Sequence, residues 1–303
     1  MKKVLITGSN GLLGQKLVYK LKARPDLELI ATARGENRLL DKHGYRFLSM
    51  DIEDAASADS VIDLVKPDCI IHTAAMTQVD DCELDHAACD RANVDAVQYI
   101  VNAAERNNSH LVHISTDFIF NGKEGPYDEE AEADPLSYYG NAKWKGELIV
   151  QKSKLKWAIL RTVLVYGIVD NMGRSNIVLW AKGALEKGNP INVVDDQFRS
   201  PTLAEDLADG CILAMDKQAT GIYNISGKDQ LSIIDLVRQV ADHYKLDKSL
   251  IRPVSSTTLN QAAKRPPITG FILDKARKDL GYNPHSFTEG IALMEKQLED
   301  MKG

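Results

Sequence analysis

The chain has little of what marks a secreted, membrane-spanning or nucleic-acid-binding protein. It carries only four cysteines in 303 residues, Cys69, Cys82, Cys89 and Cys211, and no two of them form a CxxC pair. Such spacing supplies neither a metal-ligand set nor a redox motif, so reduced, mostly buried thiols in the cytoplasm are expected, with no metal. No apolar run approaches the ~20 residues that cross a bilayer. Met1-Lys2-Lys3 leads into a short apolar strand that stops at Gly8, so no signal peptide is expected. Positive charge is also scarce: 37 Lys and Arg face 43 Asp and Glu, a formal net charge of −6. Nucleic-acid affinity comes largely from cations on phosphates, so this balance argues against such a partner while leaving room for a local basic pocket. What remains is ordinary for a soluble globular protein, 44% hydrophobic and 26% charged, with a length that suggests about two domains.

Strand and helix signals alternate through the first half. Apolar runs at Lys3–Thr7, Leu27–Ala33, Phe47–Met50, Cys69–His72, Leu111–Ser115 and Trp157–Leu160 read as six strands separated by helical stretches. Continuous apolar strands between helices indicate an α/β fold, a Rossmann-type doubly wound parallel sheet covered on both faces. The acidic, turn-rich stretch Asn121–Pro135 reads as a loop, and loops at the carboxyl ends of strands are where such sheets bind ligands. After Gly167 the pattern shifts to helical segments at Ile177–Leu185, Leu203–Met215 and Ile233–Tyr244 between short strands. The division expected is a nucleotide-binding domain of residues 1–166 plus about 192–226, and a smaller interleaved α/β substrate domain of about 167–191 plus 227–303.

Gly8-Ser9-Asn10-Gly11-Leu12-Leu13-Gly14 follows the first strand and opens a helix. In that context glycines allow a tight turn, backbone approach to a diphosphate and helix packing, and the helix N-terminus offers N–H groups to phosphate. The spacing is GxxGxxG, a modified dinucleotide loop; a plain strand-to-helix turn is the duller alternative. About 20 residues on, a carboxylate would hold a ribose 2′-hydroxyl. Here the second strand ends Ala31-Thr32-Ala33-Arg34, with no acid before Glu36. Arg34 suits a 2′-phosphate, so NADPH is favoured and NADH is possible; Arg34 could otherwise be a solvated loop residue. Asp51 is placed to accept from the adenine amino group, and Ala74 and Ala75 are small enough to let the cofactor pass. Gly8, Asn10, Gly11, Leu12, Leu13, Gly14, Arg34, Asp51, Ile52, Ala74, Ala75, Thr77 and Asn93 make up the expected cofactor set, with Tyr139 and Lys143.

Tyr139 and Lys143 lie four apart in Tyr139-Gly140-Asn141-Ala142-Lys143. On a helix they share a face. An adjacent ammonium favours the phenolate and draws the phenol from its ordinary pKa of ~10 toward the range where general acid and base catalysis works. Tyr244 and Lys248 repeat the spacing with no nucleotide loop or strand-end hydroxyl near them in sequence, so position must separate the two pairs.

Together with His72-Thr73-Ala74-Ala75 and Ser115-Thr116-Asp117, these motifs resemble the extended short-chain dehydrogenase/reductases. Ser115-Thr116-Asp117-Phe118-Ile119-Phe120-Asn121-Gly122, Asp196-Gln197 with Ser200-Pro201-Thr202, and Arg265-Pro266 narrow the resemblance to the dTDP-4-dehydrorhamnose reductase family across nearly the whole chain. The resemblance implies NAD(P)H-dependent reduction of the 4-keto group of a nucleotide-linked 6-deoxy sugar, in dTDP-rhamnose biosynthesis. Tyr139 would donate the proton, Lys143 would lower its pKa and bond the nicotinamide ribose, and Thr116 would orient the carbonyl. Met76, Asp117, Phe118, Asn176, Trp180, Arg199 and Arg265 form the expected substrate side. Asn93 is placed to support the site or simply its own helix. A homodimer is compatible with the resemblance; some relatives bridge dimers through metal held by glutamates, one just after the glycine loop, where this chain has Gln15-Lys16.

Each role has a structural competitor. Thr116 and Asp117 could cap a helix or turn, Tyr139 could pack beneath the acidic loop, and His72 reads as a satisfied strand-end histidine. Arg199 and Arg265 could anchor a diphosphate or form structural ion pairs. Phe118, Met76 and Trp180 could be core. Departures from the family pattern fall on the substrate side: Leu164 where an aromatic is common, Arg199 where many relatives have glycine, and Pro267-Ile268-Thr269-Gly270-Phe271 after Arg265-Pro266. Two further readings stand beside the reductase, a nucleotide-sugar epimerase and a non-catalytic NADP-binding regulatory subunit similar to that of methionine adenosyltransferase.

Overall fold

The computed structural model describes residues 1–171 and 175–301. In chain order its first half runs β1 (Lys2–Thr7), α1 (Leu12–Leu21), β2 (Leu27–Ala33), β3 (Arg46–Ser49), α2 (Ala55–Val65), β4 (Cys69–His72), α3 (Val79–Leu84) and α4 (His86–Asp90). A π-helical turn at Arg91–Asp95 carries α4 into α5 (Ala96–Asn107), followed by β5 (His110–Thr116), α6 (Tyr138–Lys152), β6 (Trp157–Thr162) and β7 (Val165–Tyr166). Then come α7 (Ile177–Glu186), β8 (Ile191–Val194), β9 (Phe198–Arg199), β10 (Thr202–Leu203), α8 (Ala204–Asp216) and β11 (Gly221–Asn224). The last elements are β12 (Leu231–Ser232), α9 (Ile233–His243), β13 (Ile251–Val254) and α10 (Phe287–Asp300).

Seven strands form one parallel sheet in the order β11-β6-β5-β4-β1-β2-β3. Strand side chains alternate faces, and both faces of β1 are covered. Val4 and Ile6 pack with Leu17, Val18 and Leu21 of α1 and with Leu207, Cys211 and Met215 of α8. Leu5 belongs to the opposite layer, with Ala58 and Ile62 of α2, Ile100 and Val101 of α5 and Val150 of α6. This is the doubly wound α/β architecture. Chain order reverses between β1 and β4, and a ligand crevice opens outside the carboxyl ends of strands at such a switch point.

A second apolar cluster joins Tyr166 and Ile168 to α7, β8, α9 and α10 through Val178, Ala181, Ile191, Leu236, Val237, Phe287 and Ile291. β13 pairs in parallel with β8, and β12 antiparallel with β9. The chain between β13 and α10 returns to the first core, where Phe271, Leu273, Ala276 and Tyr282 pack.

Six of the seven sheet strands coincide with the apolar runs read from sequence. The seventh, β11, was not anticipated: it is a four-residue edge strand whose only apolar residues are Ile222 and Tyr223. The stretch 121–135 contains no helix or strand and leads into α6, where Ser137 accepts from Gly140 N as the N-cap. Tyr244 and Lys248 separate as expected of a chance repeat. Tyr244 ends α9 and sits 4.9 Å from Lys182 Nζ, while Lys248 opens a short 3-10 turn and pairs with Asp242 at 2.5 Å. Among the described residues no helix is long and apolar enough to cross a membrane.

Candidate active site

The glycine turn sits at the switch point. Gly8 has φ +69°, a conformation open mainly to glycine, and a Cβ there would lie 2.9 Å from the backbone of Ala74. A Cβ on Gly14 would lie 2.2 Å from the Gly8 carbonyl oxygen, so α1 must approach β1 without a side chain between them. Gly11 is the N-cap of α1 and provides no side-chain cap, leaving the N–H groups of the Leu12–Leu13 turn to face outward. Such a cradle fits a dinucleotide diphosphate. Asn10 ties it to the loop after β2, donating to Glu36 O at 2.8 Å and accepting from Arg38 N at 2.9 Å.

The other residues expected on the cofactor side follow the carboxyl ends of β2, β3 and β4 or sit in the π turn. Arg34 is largely exposed, 3.9 Å from Asp51 and 3.7 Å from Glu53, free to reorient toward an anion. Asp51 accepts from Glu53 N at 3.0 Å, which fixes the turn holding Ile52. Thr7 Oγ1 accepts from Ala74 N at 3.2 Å and from Thr73 N at 3.1 Å, bracing the Ala74–Ala75 segment against β1. Asn93, fully buried in the π turn, accepts from Met76 N at 3.1 Å and donates to Met76 O at 3.0 Å. Its amide therefore clamps the loop leaving β4. Thr77, the next residue along that loop, is exposed.

Thr116 ends β5, and Tyr139 and Lys143 lie on one face of α6. All three are buried, with 6%, 7% and 4% of their surface exposed. The Tyr139 ring meets Phe118 edge-on, centroids 5.8 Å apart. Burial pushes the Tyr139 phenol above its ordinary value, opposed by the Thr116 hydroxyl beside it. Sequence had suggested the opposite direction, with Lys143 drawing the phenol toward neutrality. In this structure the Lys143 ammonium donates instead to Ile114 O at 2.7 Å, and burial dominates. Lys143 itself is lowered to about 8 by burial, with the Glu147 carboxylate opposing. The phenol is thus held protonated while a mostly charged ammonium stands one turn away.

Glu147 escaped the sequence reading, although its spacing of four from Lys143 and eight from Tyr139 puts it on the same helical face. It is fully buried against Arg161, whose Nε lies 3.1 and 3.3 Å and Nη2 2.9 Å from its oxygens. Cys82 and Cys89, seven apart and expected as buried thiols, are buried beside Tyr139 and Ala142, with Asn93 Nδ2 3.3 Å from Cys89 Sγ. His72 accepts or donates at Thr7 Oγ1 through Nδ1 at 2.8 Å and stacks on His113. Burial lowers it to about 3, so it is a neutral strand-end residue.

On the substrate side, Met76 and Phe118 are half-buried against the Tyr139 cluster. Trp180 is 42% exposed on α7. Asn176 uses both ends of its amide internally, capping α7 at Val178 and Leu179 and donating to Gly167 O at 2.7 Å. Arg265 pairs with Asp80 of α3 at 2.6 Å, a contact a diphosphate would have to displace. Arg199 is 4% exposed and spends its guanidinium on the carbonyls of Phe198, Pro266 and Pro267. Lys16 lies 2.8 Å from Glu205 and 3.1 Å from Gln297, joining α1, α8 and α10.

A parallel sheet with a glycine turn at its switch point, and a strand-end hydroxyl beside a Tyr-x3-Lys helix, defines a nucleotide-dependent short-chain dehydrogenase/reductase. Residues 1–299 match the family model described as the RmlD substrate binding domain. The chain belongs to this family, that of the dTDP-4-dehydrorhamnose reductases among the extended short-chain enzymes, which are NAD(P)H-dependent oxidoreductases. It is 32% identical to a dTDP-4-dehydrorhamnose reductase of Aggregatibacter actinomycetemcomitans, over 96% of this chain and 97% of that one. It is also 29% identical to methionine adenosyltransferase 2 subunit beta of Xenopus tropicalis, over 88% of this chain and 78% of that protein. The fold is similar to a dTDP-4-dehydrorhamnose reductase from Bacillus anthracis solved in complex with NADP, with a TM-score of 0.84 and 26% identity, covering 98% of this chain and 100% of the other.

Proposed function

We propose that this protein reduces the 4-keto group of a nucleotide-linked 6-deoxy sugar, with NADPH as the favoured reductant. The observation that carries the reading is the convergence of Thr116, Tyr139 and Lys143, all buried, at the carboxyl end of β5 beside the switch-point crevice. Gly8, Gly11, Gly14 and the N-terminus of α1 would hold the cofactor diphosphate and Arg34 its 2′-phosphate, and the bound cofactor would supply the hydride. The chain's own residues supply the proton and hold the ketone. Tyr139 keeps its proton at neutral pH, the state a general acid must start from. As negative charge develops on the carbonyl oxygen, the phenol releases that proton to it, and the Lys143 ammonium stabilises the phenolate left behind. Thr116 orients the carbonyl at the end of β5. Phe118 and Met76 wall the site from water, and Arg265 would exchange Asp80 for the substrate diphosphate.

Similarity to methionine adenosyltransferase 2 subunit beta supports a second reading, a regulatory partner that binds nucleotide without turnover. The buried phenol with an ammonium on the same helical face favours the enzyme, because a binding module has no use for a positioned proton donor. The test is loss of nicotinamide absorbance with dTDP-4-keto-6-deoxy-L-mannose. Stoichiometric oxidation of NADPH, faster than that of NADH, supports the ketoreductase. Sugar isomerisation without net oxidation would replace it with an epimerase, and tight NADPH binding with no turnover on any keto sugar would favour the regulatory reading.

A further inference from the structure

Arg34, assigned to the 2′-phosphate, has an acid standing against it. Glu53 lies in the turn after β3, two residues past Asp51. Asp51 sets that turn: its Oδ1 accepts from Glu53 N at 3.0 Å, and its own N–H donates to Ser57 Oγ at 3.0 Å. The Glu53 side chain then reaches between two guanidiniums. Oε1 lies 3.7 Å from Arg34 Nη1, and Oε2 lies 3.6 Å from Arg91 Nε. Both distances are longer than a hydrogen bond, and among the described residues no group donates to this carboxylate. Glu53 is held by charge alone. Exposed pairs of that kind contribute little, so one anion can take the place of another.

Arg91 reaches Glu53 from the π turn that joins α4 to α5. Two side chains of this turn do different work. Asn93 is fully buried and clamps Met76, whereas the Arg91 side chain is 54% exposed and reaches the turn after β3. Such π turns interrupt the regular helical phase and recur at functional sites. Arg34 also has Asp51 Oδ2 beside it at 3.9 Å. Without Arg91, one cation would face two carboxylates; with it, the charges balance.

The consequence falls on the choice of cofactor. A phosphate monoester carries about 1.5–2 negative charges near neutrality, and to pair with Arg34 it must come in beside Glu53. A ribose 2′-hydroxyl carries no charge, so the same carboxylate opposes NADPH and not NADH. We propose that Glu53 and Arg91 set the cofactor preference: Glu53 occupies Arg34 against the 2′-phosphate, and Arg91 retains Glu53 when the phosphate takes Arg34. This rests on the assignment of Arg34 to the 2′-phosphate and is independent of the sugar. Asp51 plays a different part, being tied into its turn through Oδ1 and placed for the adenine that both cofactors share. The size follows from Coulomb's law. Two unit charges 4 Å apart in water-like surroundings are worth about fivefold in an equilibrium constant, and salt screens part of this. With nearly two charges on the phosphate, the Glu53 charge is worth about three- to tenfold in NADPH affinity.

The experiment is a fluorescence titration of the full chain with NADPH and with NADH, for wild type, Glu53→Gln, Arg91→Gln and the double variant. Neither side chain is buried, and an unchanged Tm checks that each variant keeps the fold. Glu53→Gln is expected to tighten NADPH by about three- to tenfold and to leave NADH nearly unchanged. Arg91→Gln should weaken NADPH by about two- to fivefold, because Glu53 then stays on Arg34. The double variant should bind NADPH as tightly as Glu53→Gln alone. An unchanged ratio of the two dissociation constants in Glu53→Gln would overturn the proposal. A loss in Arg91→Gln that persists in the double variant would overturn it too, since Arg91 would then bind the phosphate itself. Should Glu53→Gln not fold, Glu53→Ala removes the same charge and must move the ratio the same way. Failure of the underlying assignment looks different: Arg34→Ala then weakens both cofactors equally. Selective loss of NADPH in Arg34→Ala, with no effect of Glu53→Gln, keeps that assignment and removes this proposal.

Discussion

Glu147→Gln is the change that most sharply separates helix geometry from catalytic support. Glutamine keeps the shape of the side chain, removes its charge and turns one acceptor oxygen into an NH2 donor. Arg161, 2% exposed, would then be a cation buried without a carboxylate, its three contacts to Glu147 at 2.9–3.3 Å reduced to those that one amide oxygen can accept. Breaking a buried ion pair at one partner destabilises by about 3–5 kcal/mol. Arg161 retains its bond to Glu129 O at 3.1 Å and its position 5.4 Å from the Phe120 ring centroid, which favours the lower end, about 3 kcal/mol. At roughly 2–4 °C per kcal/mol for a large domain, Tm should fall by about 6–12 °C. Replacing both partners by methionine should recover most of that loss, since an apolar pair leaves no stranded charge. Urea unfolding followed by circular dichroism, with the slope m checked for constancy, reads the stability directly. A loss below about 1 kcal/mol, or a double variant no better than the single one, would refute the claim that this pair anchors α6 to β6.

Other predictions concern the proton path and the cofactor. Tyr139→Phe should lower kcat by about 10²–10⁴-fold, the usual contribution of a general acid, while NADPH titration by fluorescence shows unchanged affinity; unaltered turnover would remove Tyr139 from the mechanism. Lys143 sits at about 8 in the folded chain against 10.5 ordinarily, so kcat should decline as pH rises through about 8 and the ammonium is lost. Its own effect on stability has the opposite sign. The unfolded chain holds more protons between those values, so the Lys143 contribution rises with pH across that window, a difference that vanishes in Lys143→Met and can be measured by urea unfolding at pH 7 and pH 10. Arg34→Ala should weaken NADPH binding by about 3–10-fold and NADH binding much less; equal losses would sink the assignment of Arg34 to the 2′-phosphate.

The fold was legible because its central strands are continuous apolar runs and the glycine turn follows the first of them. β11 was not, since a short edge strand with two apolar residues differs little from a loop. Thr116, Tyr139 and Lys143 were legible because a strand end and a helical spacing of four are local signals. Arg199 and Arg265 were ambiguous for the opposite reason. Their partners lie 67 and 185 residues away in Pro266 and Asp80, and no sequence pattern distinguishes a guanidinium aimed at a ligand from one satisfied by the chain. The direction of the Tyr139 pKa was misjudged because spacing places an ammonium nearby but does not reveal the burial that outweighs it.

The central claim is that hydride reaches the 4-carbon of a nucleotide-linked keto sugar while Tyr139 supplies the proton. The most direct test is product analysis after turnover of dTDP-4-keto-6-deoxy-L-mannose with NADPH deuterated at its transferable position. The account predicts one deuterium at the sugar 4-carbon with wild type and, over the same time, about 10²–10⁴-fold less labelled product with Tyr139→Phe. Deuterium retained on the cofactor with wild type, or found at another carbon, would contradict it.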